Sequence, residues 1–258
     1  MLLAIDIGNT NVTLGVWDGS DWRAHWRLRT VHEKTVDEYW IALHTLLDDE
    51  GLHGRIRRVA LASVVPPLTR TFADLAARHL GLTALQVRHD TDTGITVATE
   101  NPAEVGADRI VNAAAAYHVY GGPCIVIDMG TATTFDVVSA QAELLGVVIA
   151  PGLRLAADVL TQRAAQLSRV ALEAPPRVLG RNTAHAVQSG LIYGYVGLVE
   201  GIVARLTAEL AFQPGIIGTG GLIGLIAPHT PILQHIDPWL TLRGLCLIAD
   251  RAQGGDPA

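Results

Sequence analysis

An α/β chain made of two similar halves is the fold class that the sequence predicts, and three observations predict it. Strand-like and helix-like segments alternate along all 258 residues, with no low-complexity linker. The pattern apolar-Asp-apolar-Gly followed by short polar residues is written twice, as IDIGNTNVT from Ile5 and as IDMGTATT from Ile127, about half a chain apart. The run Gly121-Gly122-Pro123 is the clearest break in the chain and precedes the second copy. The expected architecture is two lobes, residues 1–120 and 121–258, each with a mostly mixed sheet and with a cleft between them.

Each element has a local reason. Leu2 to Ile7 is an apolar run ending in Gly8, which suits a buried strand. Val12 to Trp17 returns beside it, with Asp18-Gly19 as a turn signal, and Trp22 to Leu28 alternates as a third strand. From Thr35 to Leu47, the residues Val36, Tyr39, Trp40, Leu43, Leu46 and Leu47 recur at helical spacing. Arg58 to Val64 reads as a strand, and Pro66-Pro67 opens a helix through about Leu80. Asn101-Pro102 leads into an alanine-rich helix from about Asp108 to Tyr120.

The second half repeats the order. Cys124 to Asp128, Thr133 to Val138 and Glu143 to Ile149 read as strands, and Pro151-Gly152 leads into a helix through about Gln166. A polar, proline-containing stretch from Ser168 to Arg181 precedes a long helix, roughly Thr183 to Leu210. Ile216 to Gly221 is a short strand running into a glycine loop. Leu240 to Arg251 is the closing helix, and the tail GGDPA is expected to fray.

Composition removes several function classes. A net charge of −6 without a basic run argues against nucleic-acid binding. Cys124 and Cys246 stand far apart and outside any CxxC or Cys/His cluster, so they are expected as buried or free thiols of a cytoplasmic protein, not zinc ligands. Met1 to Ile5 lack a basic leader, so no signal peptide is expected. Apolar stretches of membrane length are interrupted by charges or glycines, so no membrane span is expected either. Lys34 is the single lysine beside eighteen arginines, which excludes a GxxxxGK[ST] loop and with it a Walker-type nucleotide site. The histidines show no HxH or HExxH spacing, and Trp17, Trp22, Trp26 and Trp40 cluster early, which core packing explains better than a dimer surface.

The repeated motif carries chemistry. An aspartate at the carboxyl end of a strand projects at the sheet edge where α/β folds bind ligands. Gly8 allows a tight turn with no Cβ in the way, and Asn9, Thr10, Asn11 and Thr13 add short polar side chains. Such a turn cradles phosphate oxygens without a lysine. Aligning Asp6 with Asp128 puts Gly8 on Gly130 and Asn9 on Thr131, with Thr133 and Thr134 following. Two such hairpins would grip a polyphosphate, and the aspartates would hold cations, being hard oxygen ligands. The loop Gly218-Thr219-Gly220-Gly221 would suit the other end of a nucleotide. Each element alone also fits an ordinary hairpin or glycine turn. Between the hairpins, NPAEVGADRIVNAAAAY puts Gly106, Asp108 and Arg109 at a helix N-terminus, which favours anions. Arg109 offers a fork for a carboxylate or phosphate, and Asp108 is placed to accept a hydroxyl proton. The same pair also fits helix capping and a surface ion pair.

Three glycine elements in this order resemble the acetate/sugar kinase, Hsc70 and actin superfamily, a duplicated ribonuclease-H-like (actin-like ATPase) fold with two lobes around an ATP cleft. Within it, DIGNTNVT, NPAEVGADR, DMGTATTFD, PGL and NTAHAVQSGLIYGYVG resemble the type III pantothenate kinases across nearly the full length. The resemblance implies an ATP-dependent enzyme that phosphorylates pantothenate to 4′-phosphopantothenate, the first step of coenzyme A biosynthesis. It implies Asp108 as the proton acceptor and Gly106, Ala107, Asp108, Arg109 and Thr183 as the pantothenate site. It implies Asp6, Ile7, Gly8, Asn9, Thr10, Asn11, Val12, Thr13 and Thr131 as ATP-binding residues, and Asp128 as ligand of a monovalent cation, K⁺ or NH₄⁺, beside Mg²⁺ carried with ATP. It implies a cytoplasmic homodimer whose substrates are ATP and pantothenate, with no nucleic acid and no membrane as partner. Without the resemblance, Thr183 would pass as a helix N-cap.

One position departs from the family, which often has a tyrosine three residues before the proline of NPAEVGADR. Thr99 stands there, keeping a hydroxyl and losing the ring, and Tyr117 and Tyr193 are candidates by type to fill the space. Two rivals share the fold. A phosphohydrolase would activate water in place of an alcohol, and a non-enzymatic accessory factor for gene expression would leave Asp108 dispensable.

Overall fold

A computed structural model describes residues 1–164, 167 and 169–254. The expected helix end at Gln166, the start of the polar stretch at Ser168 and all but Gly254 of the tail lie outside the described residues. The chain divides into two compact units, Met1–Ala115 together with the segment from Leu240 onward, and Ala116–Trp239.

The first unit is built on β1 (Leu2–Ile7), β2 (Asn11–Trp17), β3 (Trp22–Arg29), α1 (Val36–Asp49), β4 (Arg58–Ser63), α2 (Pro66–Leu75) and β5 (Ala84–Gln86). Its sheet runs β3-β2-β1-β4-β5, with β1 antiparallel to β2 and parallel to β4. Leu3, Ile5 and Ile7 alternate onto one face, where Tyr39, Leu43 and Leu47 of α1 and Leu68, Phe72 and Leu75 of α2 close the core. Thr35 starts α1 with a capping box, accepting from the Glu38 N–H while the Glu38 carboxylate accepts from Thr35. Pro66 and Pro67 sit in the first turn of α2, where a missing N–H costs nothing. A π-helical turn, Ala76–Leu80, extends α2 to the expected end.

Two short stretches follow, β6 (Thr96–Val97) and a 3₁₀ turn at Pro102–Glu104, and then α3 (Ala107–Tyr120). The closing helix α7 (Leu240–Arg251) belongs to the first unit, although it follows the second in sequence. It packs on β1 and β4, and its Gly244 lies so close to Val111 and Ala115 of α3 that a Cβ would stand 2.5 Å from the Val111 carbonyl. Arg58 anchors the helix to β4 through Asp250 at 2.7 Å.

The second unit repeats the plan with β7 (Cys124–Met129), β8 (Ala132–Val138), β9 (Glu143–Pro151), α4 (Leu153–Arg163), α5 (Thr183–Glu209), β10 (Gly215–Thr219), α6 (Ile223–Ile226) and β11 (His235–Ile236). Its strands run β11-β10-β7-β8-β9, the order of the first sheet read backwards from β5. Ile125, Ile127, Met129, Phe135 and Val137 pack on Leu191, Ile192, Tyr195 and Val199 of α5. By length and composition α5 is apolar enough to cross a membrane, and the sequence reading of charge-interrupted runs did not single it out. Nine of its residues are buried, seven of them in this core. The helix is capped by Asn182, whose side chain accepts from the His185 N–H at 2.8 Å, and not by Thr183. Asparagine supplies the acceptor one residue earlier and leaves Thr183 at the first helical position.

The expected α/β duplication is thus the observed one, and the matching strand orders carry it. Both cysteines are free and buried. Trp40 sits against His79, His44 and His53, with the His79 ring stacked on it at 4.7 Å.

Candidate functional site

In the first unit, the carboxyl ends of two parallel strands and one helix start come together. Asp6 is the penultimate residue of β1 and lies half-buried on the face opposite the Leu3-Ile5-Ile7 core. The Gly8 N–H donates to the Asn11 carbonyl at 3.0 Å and closes the turn, leaving Asn9 and Thr10 exposed. Ile7 and Val12 pair in register, as do Asp6 and Thr13. Ile7 and Val12 themselves are wholly buried, so within the Asp6 to Thr13 segment they pack while the residues between them face outward. Thr30, just past β3, braces the turn: its Oγ1 donates to the Gly8 carbonyl at 2.6 Å and its N–H to the Thr10 carbonyl at 3.0 Å.

Val64 links this strand end to the helix start. Its N–H donates to the Ile7 carbonyl at 3.1 Å, and its Cγ1 stands 3.1 Å from where a Cβ on Gly106 would be. The Asp108 Oδ1 stands 2.5 Å from that same point, so a Cβ there would displace the carboxylate. Asp108 also accepts from the Arg109 N–H at 2.9 Å, within the first turn of α3. Ala107 is buried, and Asp108 and Arg109 are half-exposed. The segment Gly106 to Arg109 and the end of β1 therefore adjoin through one side chain. Ser63 fixes the approach to Val64, accepting from the Val65 N–H at 3.1 Å and from the Thr69 hydroxyl at 2.7 Å.

In the second unit, Asp128 occupies the place of Asp6, next to the end of β7, and pairs with Thr134. The Gly130 N–H donates to the Ala132 carbonyl at 3.0 Å, and Thr131 is exposed at the tip. Two glycines press on this turn from outside. A Cβ on Gly152, the N-cap of α4, would run into the Thr131 carbonyl, and one on Gly220 would run into the Asp128 carboxylate and the Met129 backbone. Gly220 also holds φ at +90°, which disfavours any side chain there. Asp128 Oδ1 thus sits in a cradle of bare backbone, 3.8 Å from the would-be Cβ of Gly130 on its other side. Among the described residues no group of three or more His, Cys, Asp or Glu clusters as for a transition metal. The oxygen donors there, a carboxylate beside bare backbone, are of the kind that suits a hard cation.

The third glycine element borders a cavity of about 570 Å³ that Gly221, Leu222 and Leu225 line together with Arg154, Asp158 and Arg169. Thr183 is exposed and borders a second, largely apolar groove of about 470 Å³ between α4 and α5, beside Leu160, Ala186 and Val187. Thr99 is half-buried, and its hydroxyl oxygen is shielded from solvent with no partner among the described residues. The two tyrosines proposed to replace the missing ring have other partners: Tyr117 donates to the Ala140 carbonyl at 3.1 Å and packs on Gly122, and Tyr193 reaches the Pro175 carbonyl at 3.4 Å. The bracing residues Thr30, Val64 and Tyr195 escaped the sequence reading, because each acts on a residue far from it in the chain.

Comparison with known proteins shows the family and the fold. A family model described as type III pantothenate kinase matches residues 2–205. A type III pantothenate kinase of Moorella thermoacetica is 48% identical over 252 residues, covering 97% of this chain and 99% of its own. That of Thermomicrobium roseum is 49% identical over 246 residues, 95% of each chain. Among solved structures, a Baf family protein from Campylobacter jejuni aligns with a TM-score of 0.61 at 20% identity, covering 98% of this chain and 99% of its own. The activator of 2-hydroxyisocaproyl-CoA dehydratase from Clostridium difficile, solved with ADPNP, aligns at 0.56 and 12% identity, covering 100% and 98%. At these identities the two structures speak for the fold alone.

Proposed function

The chain belongs to the type III pantothenate kinase family, and from that premise we propose how its own residues carry out ATP-dependent phosphorylation of pantothenate, the opening step of coenzyme A biosynthesis. Asp108 accepts the proton of the pantothenate hydroxyl as that oxygen bonds to the γ-phosphorus, the bond from that phosphorus to the β,γ-bridging oxygen breaks, and ADP leaves. The observation that supports this reading is the position of Val64, bonded to the Ile7 carbonyl at the end of β1 and packed against Gly106, beneath the Asp108 carboxylate. Gly106, Ala107 and Arg109 hold the pantothenate with it, Arg109 presenting a guanidinium fork to the carboxylate end. Thr183, in the first turn of α5, is read from the family resemblance as a further pantothenate contact.

The turn from Asp6 to Thr13 receives phosphate oxygens on its backbone and on Asn9, Thr10 and Asn11, and Thr131 does the same from the second copy. No lysine is near either turn in sequence, so negative charge on the transferring group is met by backbone N–H groups and by cations. Mg²⁺ enters with ATP, and Asp128 with its glycine cradle fits K⁺ or NH₄⁺, which would supply a fixed positive charge. We read the enzyme as a cytoplasmic homodimer. Exposed Leu155 and Val159 of α4, 48% and 47% accessible, support a second copy as their cover.

The test is direct. Purified protein is incubated with ATP, Mg²⁺, K⁺ and pantothenate, and phosphopantothenate is measured. Turnover is expected to collapse without a monovalent cation, and Asp108→Asn is expected to lower kcat by about 10²–10⁴-fold. ATP cleavage at full rate without pantothenate would replace the reading with a phosphohydrolase.

A further inference from the structure

The second glycine turn is secured from behind by a relay of hydroxyl groups. Thr133, in β8, holds the register position that Val12 holds in the first hairpin: Ile7 faces Val12, and Met129 faces Thr133. Both residues are wholly buried. Threonine and valine have nearly the same shape, so the second copy carries a hydroxyl where the first carries a methyl. A buried hydroxyl is costly unless it is bonded. Its partner is Tyr195 of α5, at 2.6 Å between the two oxygens, and Tyr195 in turn reaches the Pro151 carbonyl at 2.5 Å.

The direction of both bonds follows from what each atom can do. A carbonyl oxygen only accepts, so the single Tyr195 proton goes to Pro151, and Thr133 donates to the Tyr195 oxygen. Tyr195 is 6% exposed, and burial pushes its phenol above the ordinary value, which keeps it a neutral donor. Pro151 pairs with Ala132 and immediately precedes Gly152, the residue pressed against the carbonyls of Gly130 and Thr131. The relay therefore joins the strand leaving the turn to the backbone that wedges it.

We propose that Tyr195 is a positioning residue for the nucleotide: through Thr133 and Pro151-Gly152 it fixes the Gly130-Thr131-Ala132 turn in the shape that presents Thr131 to a phosphate oxygen. This rests on the reading of Thr131 as a phosphate contact. A ring that only filled the core would need no hydroxyl, and phenylalanine would serve as well.

Two variants test it in the full-length protein. Tyr195→Phe keeps the ring, and Tyr195→Phe with Thr133→Val also returns to β8 the residue of the first copy. Tyr195→Phe is expected to raise KM for ATP about tenfold, with KM for pantothenate moving less than about twofold. The double variant is expected to recover the wild-type melting temperature, because no buried hydroxyl is left unpaired, while keeping the ATP defect. Recovery of ATP KM together with melting temperature would overturn the proposal, as would an ATP KM for Tyr195→Phe within about twofold of wild type. Thr131→Ala, titrated with ATP·Mg by calorimetry, separates the two layers. If it leaves ATP affinity unchanged, the phosphate reading of the turn falls and the positioning role with it. If it weakens ATP while Tyr195→Phe does not, the positioning role alone falls.

Discussion

The two hairpins, Leu2–Trp17 and Cys124–Val138, share one register and brace their turns through different contacts. Register and irregularity agree: Asp6 pairs with Thr13 and Asp128 with Thr134, and the bulge against the third strand falls after Val16 in one copy and after Val137 in the other. The turns differ. The first is one residue longer and is held by side-chain and backbone donors from Thr30. The second is held by backbone pressed on backbone at Gly152 and Gly220, with the Tyr195 relay behind it. In both copies the residue just past the third strand, Thr30 or Gly152, does the bracing. The lesson is that a duplicated motif keeps its register, which the sheet dictates, while its support is rebuilt from whatever packs nearby.

The widest expected gap between the copies is at the end of the parallel partner strand. Ser63 faces Ile7, and Gly220 follows Thr219, which faces Asp128, so Ser63 and Gly220 are counterparts. Gly220→Ala must adopt a positive φ of 90° and drive its Cβ into Asp128 and Met129. Left-handed strain and overpacking together should cost about 3 kcal/mol. Ser63→Ala loses hydroxyl bonds to Thr69 and Val65 and should cost about 1 kcal/mol. Urea unfolding of both variants checks the ratio. Equal losses would mean the second turn is not wedged as described.

A middle effect is expected inside the strands. Gly15 faces Ala4 and Asp136 faces Val126, so glycine and a wholly buried aspartate are counterparts. Gly15 is covered by the Trp22 ring and Leu242 of α7, and a Cβ would stand 2.6 Å and 2.9 Å from them. Gly15→Ala is expected to lower stability by about 1–3 kcal/mol, with Trp22 fluorescence reporting the shift. Unchanged fluorescence and stability would show that α7 does not press on β2.

How much of this was legible in the sequence follows from where each signal sits. Asp6, Gly8, Asp128 and Gly130 are legible because a turn is local and its residues are neighbours. Helix α1 is legible because Thr35, Glu38 and the Tyr39-Leu43-Leu47 stripe are all within one segment. The two-residue strands β6 and β11 are too short to show any alternation, and they were missed. The packing of the last helix on the first strand leaves no mark, because Gly244 and Val111 say nothing of each other until the chain has folded. The same holds for Thr133 and Tyr195, 62 residues apart. The role of Gly152 was legible only as a helix start, since the carbonyl it presses on lies in another turn.

The mildest contrast concerns the first residues of the two hairpins, Leu2 and Cys124, which face Trp17 and Val138. Burial, with a smaller push from the Asp136 charge, moves the Cys124 thiol up from 9.0 to about 12. The folded chain then keeps a proton that the unfolded chain has lost above pH 9, so unfolding gains favour as pH rises from 9 toward 12. The stabilisation is complete below pH 9 and fades across that window. Cys246 is pushed to about 12 by burial as well, so it contributes the same slope. Cys124→Leu, which copies the first hairpin, should remove one thiol's share and flatten the alkaline fall in melting temperature, while leaving the Cys246 share in place. A thiol reagent at pH 8 should label neither cysteine in the native protein and both after denaturation. Rapid native labelling of Cys124 would mean that the start of β7 opens far more readily than that of β1.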